Sequence, residues 1–485
     1  MTGTMTGAMT GKGREQDHGD PGDRRGHAGQ ARRTHDDAGA LGTVAAHPAP
    51  VTKGVAAYTL GFLTLISTFN YLDRSLLGLA LPLIKAEMHV SDTTLGLVTG
   101  FAFVLFYSTL GVPIAWAADR FSRRNIIAIG FAVWSLMTAA SGFCANIWQI
   151  AATRLIMGAG EAAGPAPSNA MIADLFPPAR RPLALSIYWL AFSIGSLFLF
   201  PVLGWVAQVH GWRAMFICAG IPGVLLAGVF ALTVREPARG GTDARPDAPA
   251  GALHGGSAQK DAPKAGMVEA VLYLVRTPSY LLLAGCAACM GANLYAAGTW
   301  SATFLARVHH MPVAEIAGTT GPVRGIVSFV GIFGGGLLID RLGRRNLNWR
   351  LYIPAIACFL AAPTEMMFLL GDSRATWLTG FGLSSAFVLI HQAPVFALGM
   401  SVAPVRMRAM ASALLLFSSA MVGQAIGPLL VGALNDHLTP LYGPEAIRYS
   451  LLINMVTAVA GGIMLLLACR TIRADIARAD ETPRA

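Results

Sequence analysis

The chain has 485 residues, 54% of them hydrophobic and only 13% charged, with a formal net charge of +10. Soluble domains carry about a quarter charged residues, so this composition excludes an ordinary soluble enzyme or binding module and points to a membrane. The basic excess lies in the loops between apolar runs, where membrane topology accounts for it without a nucleic-acid partner.

Residues 1–50 are rich in Gly, Arg, His and Asp and carry no apolar core of a signal peptide, so they are read as a disordered cytoplasmic tail. Runs long enough to cross a hydrocarbon core of roughly 30 Å, about 20 helical residues each, then follow. They are expected at 55–83, 94–118, 125–145, 148–172, 183–207, 213–234, 279–305, 315–339, 349–370, 375–400, 407–433 and 447–469. Lipid offers no water to backbone amides, so runs of this length form helices. The predicted fold is an all-α integral membrane protein with twelve transmembrane helices. Residues 235–268, rich in Gly, Ala, Pro and Asp, read as a cytoplasmic linker dividing the helices six and six. The expected organisation is a tail (1–50), a bundle (51–234), the linker (235–268), a second bundle (269–472) and a tail (473–485).

With both termini cytoplasmic, that side collects 28 of the 36 Lys and Arg. The opposite loops hold 5 (Lys85, Arg213, Arg307, Arg374 and Arg448), and Arg74, Arg154 and Arg324 fall within helices. This asymmetry sets the orientation of a multi-pass protein, expected in a bacterial inner membrane. The six cysteines lie in or at the ends of apolar helices. Cys286 and Cys289 form a C-x-x-C, but no second pair or adjacent His accompanies it, so packing is the reading and neither metal nor cofactor is expected.

An internal repeat is visible. "AWAADRFSRRN" after the second helix and "GLLIDRLGRRN" after the eighth align at a constant offset of 221. Asp119, Arg120, Arg123 and Arg124 thereby match Asp340, Arg341, Arg344 and Arg345. Two parallel six-helix repeats are the architecture of a secondary transporter. The chain resembles the major facilitator superfamily over residues 52 to 472, whose loop motif G-x-x-x-D-R-x-G-R-R is complete in the second copy. In the first, Ala115 and Ser122 replace the two glycines. The resemblance implies two pseudo-symmetric bundles, with these loops latching the cytoplasmic ends of the halves together in the outward-facing state. A carboxylate that accepts from arginines and a helix N-terminus suits such a latch.

Asp73, Arg74, Arg154, Glu161, Arg324 and Glu365 lie inside apolar runs. A charge near a helix centre costs roughly 2.5–3.5 kcal/mol, which makes each a functional candidate. At 1.5 Å per residue Asp73 sits roughly 15 Å deep, Arg154 roughly 9 Å and Glu161 roughly 20 Å. Arg154 and Glu161, two turns apart, share a face, and the small residues of "GAGEAAGPAPSNA" leave space there for a helix or a substrate. Pro165 and Pro167 are expected to loosen the backbone below Glu161. Burial favours the protonated carboxyl and a nearby guanidinium the charged one, so a rocking motion that exchanges these environments would carry protons; a static salt-bridge cluster is the competing reading.

Stretches such as "NYLDRSLLGLALPLIKAEM", "RLIMGAGEAAGPAPSNAMIADLFPPARR", "GWRAMF", "TVREP" and "PVRMRAMASALLLF" are similar to the spinster-like branch, whose members include lysolipid and sphingolipid carriers. That resemblance implies Asp73 and Glu161 as proton-linked residues beside Arg74 and Arg154. Organic-anion:proton symporters of the superfamily share the same four positions, so the motif does not separate the two. The antiporter signature of the fifth helix is present only as Pro201 and Gly204, so exchange is not supported.

Asn293, Tyr295, Trp300, Arg324, His391, Gln392 and Gln424 are candidates to line a substrate cavity. Glu365 is read as structural or snorkelling, and His309–His310 as solvated loop residues. The expected function is a secondary active transporter working by alternating access, proton-coupled, moving an amphiphile such as a lysophospholipid. A symporter of a small organic anion and a non-transporting sensor are the alternatives. No nucleophile–base or metal constellation supports an enzyme. The expected partners are a small-molecule or lipid substrate, protons and membrane lipids, with no nucleic acid, and the protein is read as a monomer.

Overall fold

A computed structural model describes residues 52–239 and 267–481. The expected tail 1–50 and linker residues 240–266 lie outside the described residues. Among those described, every regular element is helical.

Nine helical stretches among the described residues are long and apolar enough to cross a membrane. Two of them are double-length, at 53 and 70 residues, and each holds two passes. The first reverses at Gly211, whose φ of 84° favours glycine, and the second turns through Gly443 at φ 55°. A further pass, Ile147–Glu161 continued by Pro165–Leu175, is interrupted at 162–164, so neither piece spans a membrane by itself. Twelve passes result.

The first pass is Lys53–Met88, started by the Thr52 hydroxyl accepting from the amide of Val55 and ended by His89 in the left-handed region. The second is Asp92–Thr99 with Phe101–Arg120, and the third Arg123–Ser141. The fifth runs from Arg181 through a π-turn at Gly195–Leu199 into Phe200–Thr233, which also supplies the sixth. The seventh, eighth and ninth are Pro278–Val308, Val313–Gly343 and Trp349–Leu370. Arg374–Ile390 with Gln392–Ser401 forms the tenth, and Arg408–Phe417, a π-turn and Ala425–Tyr442 the eleventh. Ala446–Leu451 and Ile453–Glu481 make the twelfth.

Two boundaries differ from expectation. A helix at Met267–Val275 begins inside the segment read as linker, carrying Ala270 and Leu274 into the core. The terminal segment 473–485 is not a free tail over its described part, because the last helix continues to Glu481. Ile472, Asp475 and Ala479 stack on one buried face, and Asp475 accepts from the amide (3.0 Å) and hydroxyl (2.5 Å) of Ser279.

The two six-helix halves share a core at one end only. Leu76 to Ile84, Leu95 and Val98 of the first half pack into one cluster with Trp300, Phe304, Phe368 and Val431 of the second. Toward the other end the core divides, one cluster drawn from the second half and another almost wholly from the first. Glycines permit the shared closure. A Cβ on Gly100 would lie 2.2 Å from the Gln424 carbonyl oxygen, and one on Gly96 2.4 Å from that of Pro428. The halves are thus joined at the Asp92 end and parted at the end carrying Asp119 and Asp340.

Candidate functional site

Glu161 closes the first segment of the fourth pass, just before the chain breaks and restarts at Pro165. Its Oε2 accepts from Nε of Arg74 at 2.7 Å and from Nδ2 of Asn70 at 3.0 Å. Asn70 and Arg74 are one helical turn apart on the first pass, so a single face of that helix presents both donors. The Arg74 guanidinium also lies over the rings of Phe103 and Tyr107, 5.0 and 4.6 Å from their centroids. Glu161 is fully buried, whereas the Arg74 side chain keeps 17% of its surface exposed.

Asp73 and Arg154 are also brought together, but not as an ion pair. Nη1 of Arg154 donates to the main-chain carbonyl of Asp73 at 3.3 Å and to the sulfur of Met157 at 3.2 Å. Oδ1 of Asp73 and Oε1 of Glu161 are buried without a hydrogen-bond donor. Two carboxyl groups and two guanidinium groups therefore share the site, and one close pair is formed among them.

The small residues around Glu161 do not clear room for a substrate, as the sequence left open. Gly158 meets the second pass, where an added Cβ would stand 2.3 Å from the Phe103 carbonyl oxygen. Gly160 meets the third, with the Trp134 amide nitrogen at 2.9 Å from such a Cβ. They allow helices to close around the carboxylate, and Arg74 is the partly exposed member of the pair.

The cavity candidates of the second half separate into two groups. Trp300 is fully buried and donates to the Pro428 carbonyl at 2.9 Å, so it belongs to the closed end. Asn293 donates to the Asn454 carbonyl at 2.8 Å, and buried His391 places Nδ1 2.6 Å from the Val388 carbonyl. These join or stabilise helices rather than face a cavity. Gln392 is exposed, and Gln424 is buried in a π-turn with its Oε1 unpartnered. Tyr295 is half-buried, within electrostatic reach of Arg74. Arg324, half-buried, has no hydrogen bond or ion pair among the described residues and lies 5.3 Å from the Phe381 ring centroid. Glu365 is not snorkelling. It is buried and accepts from Ser384 Oγ at 2.5 Å and Asn454 Nδ2 at 3.2 Å, tying three helices together. His309 is likewise not a solvated loop residue, since its ring packs on Phe304 and Trp377.

Sequence reasoning missed the densest polar site. Asp92, fully buried at the closed end, accepts from Lys85 at 2.6 Å and from both Nη atoms of Arg307 at 2.6 and 2.8 Å. It also accepts from Asn435, while Asp436 accepts from the amides of Asp92 (3.0 Å) and Thr93 (2.8 Å). An acid beginning an apolar helix and an Asn-Asp pair ending another were the available signals. At the opposite end the repeated loops keep to their own halves. Asp119 is 79% exposed, 4.0 Å from Arg123, and Arg120 covers Trp116. Arg123 bonds Asp174, and Glu236 accepts from Ser122 and from the amides of Arg123 and Arg124. Asp340, Arg341, Arg344 and Arg345 are exposed. The hydrogen bonds of Asp92, Arg307, Gln208 and Asn435 that join the halves gather at the Asp92 end, and Tyr295 of the second half also meets Arg74 of the first.

Comparison with known proteins gives this arrangement a context. A family model described as Major Facilitator Superfamily matches residues 63–421. The chain is 31% identical to an MFS-type efflux pump of Mycolicibacterium smegmatis, over 86% of this chain and 93% of that protein. It is 26% identical to protein spinster homolog 1 of Homo sapiens, covering 88% and 83% of the two chains. A solved bacterial homolog of the human lysosomal transporter Spinster, in an inward-facing and unoccupied conformation, superposes with a TM-score of 0.73 at 27% identity. That match covers 87% of this chain and 99% of the other.

Proposed function

The chain belongs to the major facilitator superfamily as a spinster-like, multi-pass membrane transporter and not an enzyme, and we propose that it moves an amphiphilic anion such as a lysophospholipid by proton-coupled alternating access. The observation that carries this reading is the Arg74–Glu161 pair at 2.7 Å, with Asp73 and Arg154 beside it and one buried oxygen of each carboxyl unpartnered. A carboxylate oxygen left without a donor in a low-dielectric site is costly, and protonation reduces that cost. Arg74 is also the member of the cluster that remains partly exposed, so a substrate anion that draws it away leaves Glu161 to take up a proton.

The division of the core supports an inward-facing reading. The joined Asp92 end is then extracytoplasmic, and the parted end, with its basic loops, is cytoplasmic in a bacterial inner membrane. The Asp119 and Asp340 loops form their latch across the halves when that end closes. Arg324 and Arg74 suit the anionic group of the substrate, and the rings around them suit its apolar portion. The spinster-like resemblance implies the lipid-like substrate, and a small organic anion is the alternative.

The test is uptake into proteoliposomes under an imposed pH gradient, with a fluorescent lysophospholipid in one arm and a sugar acid in the other. Accumulation of the lysophospholipid that collapses with a protonophore is expected. Accumulation of the sugar acid alone would replace the substrate assignment, and uptake indifferent to the gradient would remove proton coupling.

A further inference from the structure

The ninth and twelfth passes leave a groove of about 390 Å³ on the outside of the second half, lined by Trp349, Tyr352, Ala355, Ile356, Phe359 and Leu466. The lining is wholly apolar and aromatic, and Trp349, Ile356 and Leu466 are 37%, 50% and 41% exposed. The groove begins beside the repeated basic loop. Trp349 donates its amide to the Asn346 carbonyl at 3.0 Å, and the Asn346 side chain accepts from Nη2 of Arg473 at 2.7 Å. Leu466, Arg470 and Arg473 follow one another along one face of the last helix, so the basic groups stand over the end of the groove.

The repeat itself shows what is missing there. In the first half, Glu236, from the segment after the sixth pass, accepts from the amides of Arg123 and Arg124, and Asp174 meets the Arg123 guanidinium. The matching loop of the second half, Arg344–Arg345–Asn346, receives Arg473 from the end of the twelfth pass instead. Among the described residues, no carboxylate pairs with Arg344, Arg345, Arg470 or Arg473. One copy of the loop is met by carboxylates of its own half, and among the described residues the other is not, next to an apolar groove.

We propose that this groove is a binding site for an anionic phospholipid, one acyl chain lying along Trp349, Tyr352 and Phe359 and the phosphate seated against Arg470 and Arg473. Aromatic rings at the headgroup level and arginines beyond them match the two ends of such a lipid, and a surface phosphate supplies the charge that Glu236 supplies in the first half. The site is separate from the Arg74–Glu161 cluster, and it stands or falls independently of the transported substrate.

Native mass spectrometry of the full-length protein, equilibrated with equal palmitoyl-oleoyl phosphatidylglycerol and phosphatidylcholine, tests this. The wild type is expected to retain phosphatidylglycerol preferentially, and the double variant Arg470→Gln/Arg473→Gln to lose about tenfold of that retention. Lysine at both positions should restore most of it, and Trp349→Ala should weaken retention of either lipid. Arg235→Gln, an exposed charge on the first half, serves as the control and should change nothing. Equal retention of the two lipids by the wild type, or undiminished phosphatidylglycerol on the double glutamine variant, would overturn the site.

Discussion

Arg307 grips Asp92 with both of its terminal nitrogens, at 2.6 and 2.8 Å, and in doing so ties the seventh pass to the second across the two halves. Asp92 is fully buried, while Arg307 keeps 20% of its side chain exposed. A bidentate guanidinium–carboxylate contact is among the stronger polar interactions available to a protein, and breaking one partner of a buried pair costs several kcal/mol.

Asp92→Asn should therefore loosen the closed end. With its cationic partners partly exposed, the expected loss is about 2 kcal/mol, enough to shift the balance between conformers roughly thirtyfold. Spin labels placed on either side of the closed end would report a broader, longer distance distribution. An unchanged distribution would show that apolar packing alone holds that end.

Gly100→Ala should act at the same place by sterics. Its Cβ would stand 2.2 Å from the Gln424 carbonyl oxygen, a backbone atom that cannot swing aside. Overpacking of this kind costs about 1–3 kcal/mol, so the melting temperature should fall together with closure of the Asp92 end. A variant with wild-type melting and labelling would mean that the eleventh helix moves freely there.

Asp340→Asn should leave the present conformation untouched, because Asp340 is exposed here. Its effect is expected where the parted end closes, with a smaller population of that state by cysteine accessibility. Identical labelling in variant and parent would assign the loop to topology alone.

Glu161→Gln keeps an oxygen for Arg74 and removes the charge. Binding, read as substrate-induced thermal stabilisation, should survive, and gradient-driven accumulation should be lost. Asp73→Asn should also lose accumulation, although Asp73 contacts Arg154 through its main chain rather than its carboxylate. Full accumulation by both variants would leave a structural cluster and no proton path.

The twelve passes, the repeat and the buried charges were legible in the sequence because lipid makes each of them costly to disguise. A run of about 20 apolar residues has few alternatives to a spanning helix, and Asp73, Arg74, Arg154 and Glu161 stand out wherever charge is rare. Which charge meets which was decided by helix rotation and packing. Arg74 reaches Glu161 with Asn70, while Arg154 takes a carbonyl, a distinction of angle that spacing does not encode. The Asp92 site was hidden because polar residues at helix ends are ordinary in a chain, and its partners in the other half, Arg307 and Asn435, lie 215 and 343 positions away. Only the close approach of the second and eleventh passes, through Gly96 and Gly100, makes Asp92 and Asn435 neighbours, and only tertiary packing fixes which end of the molecule is closed.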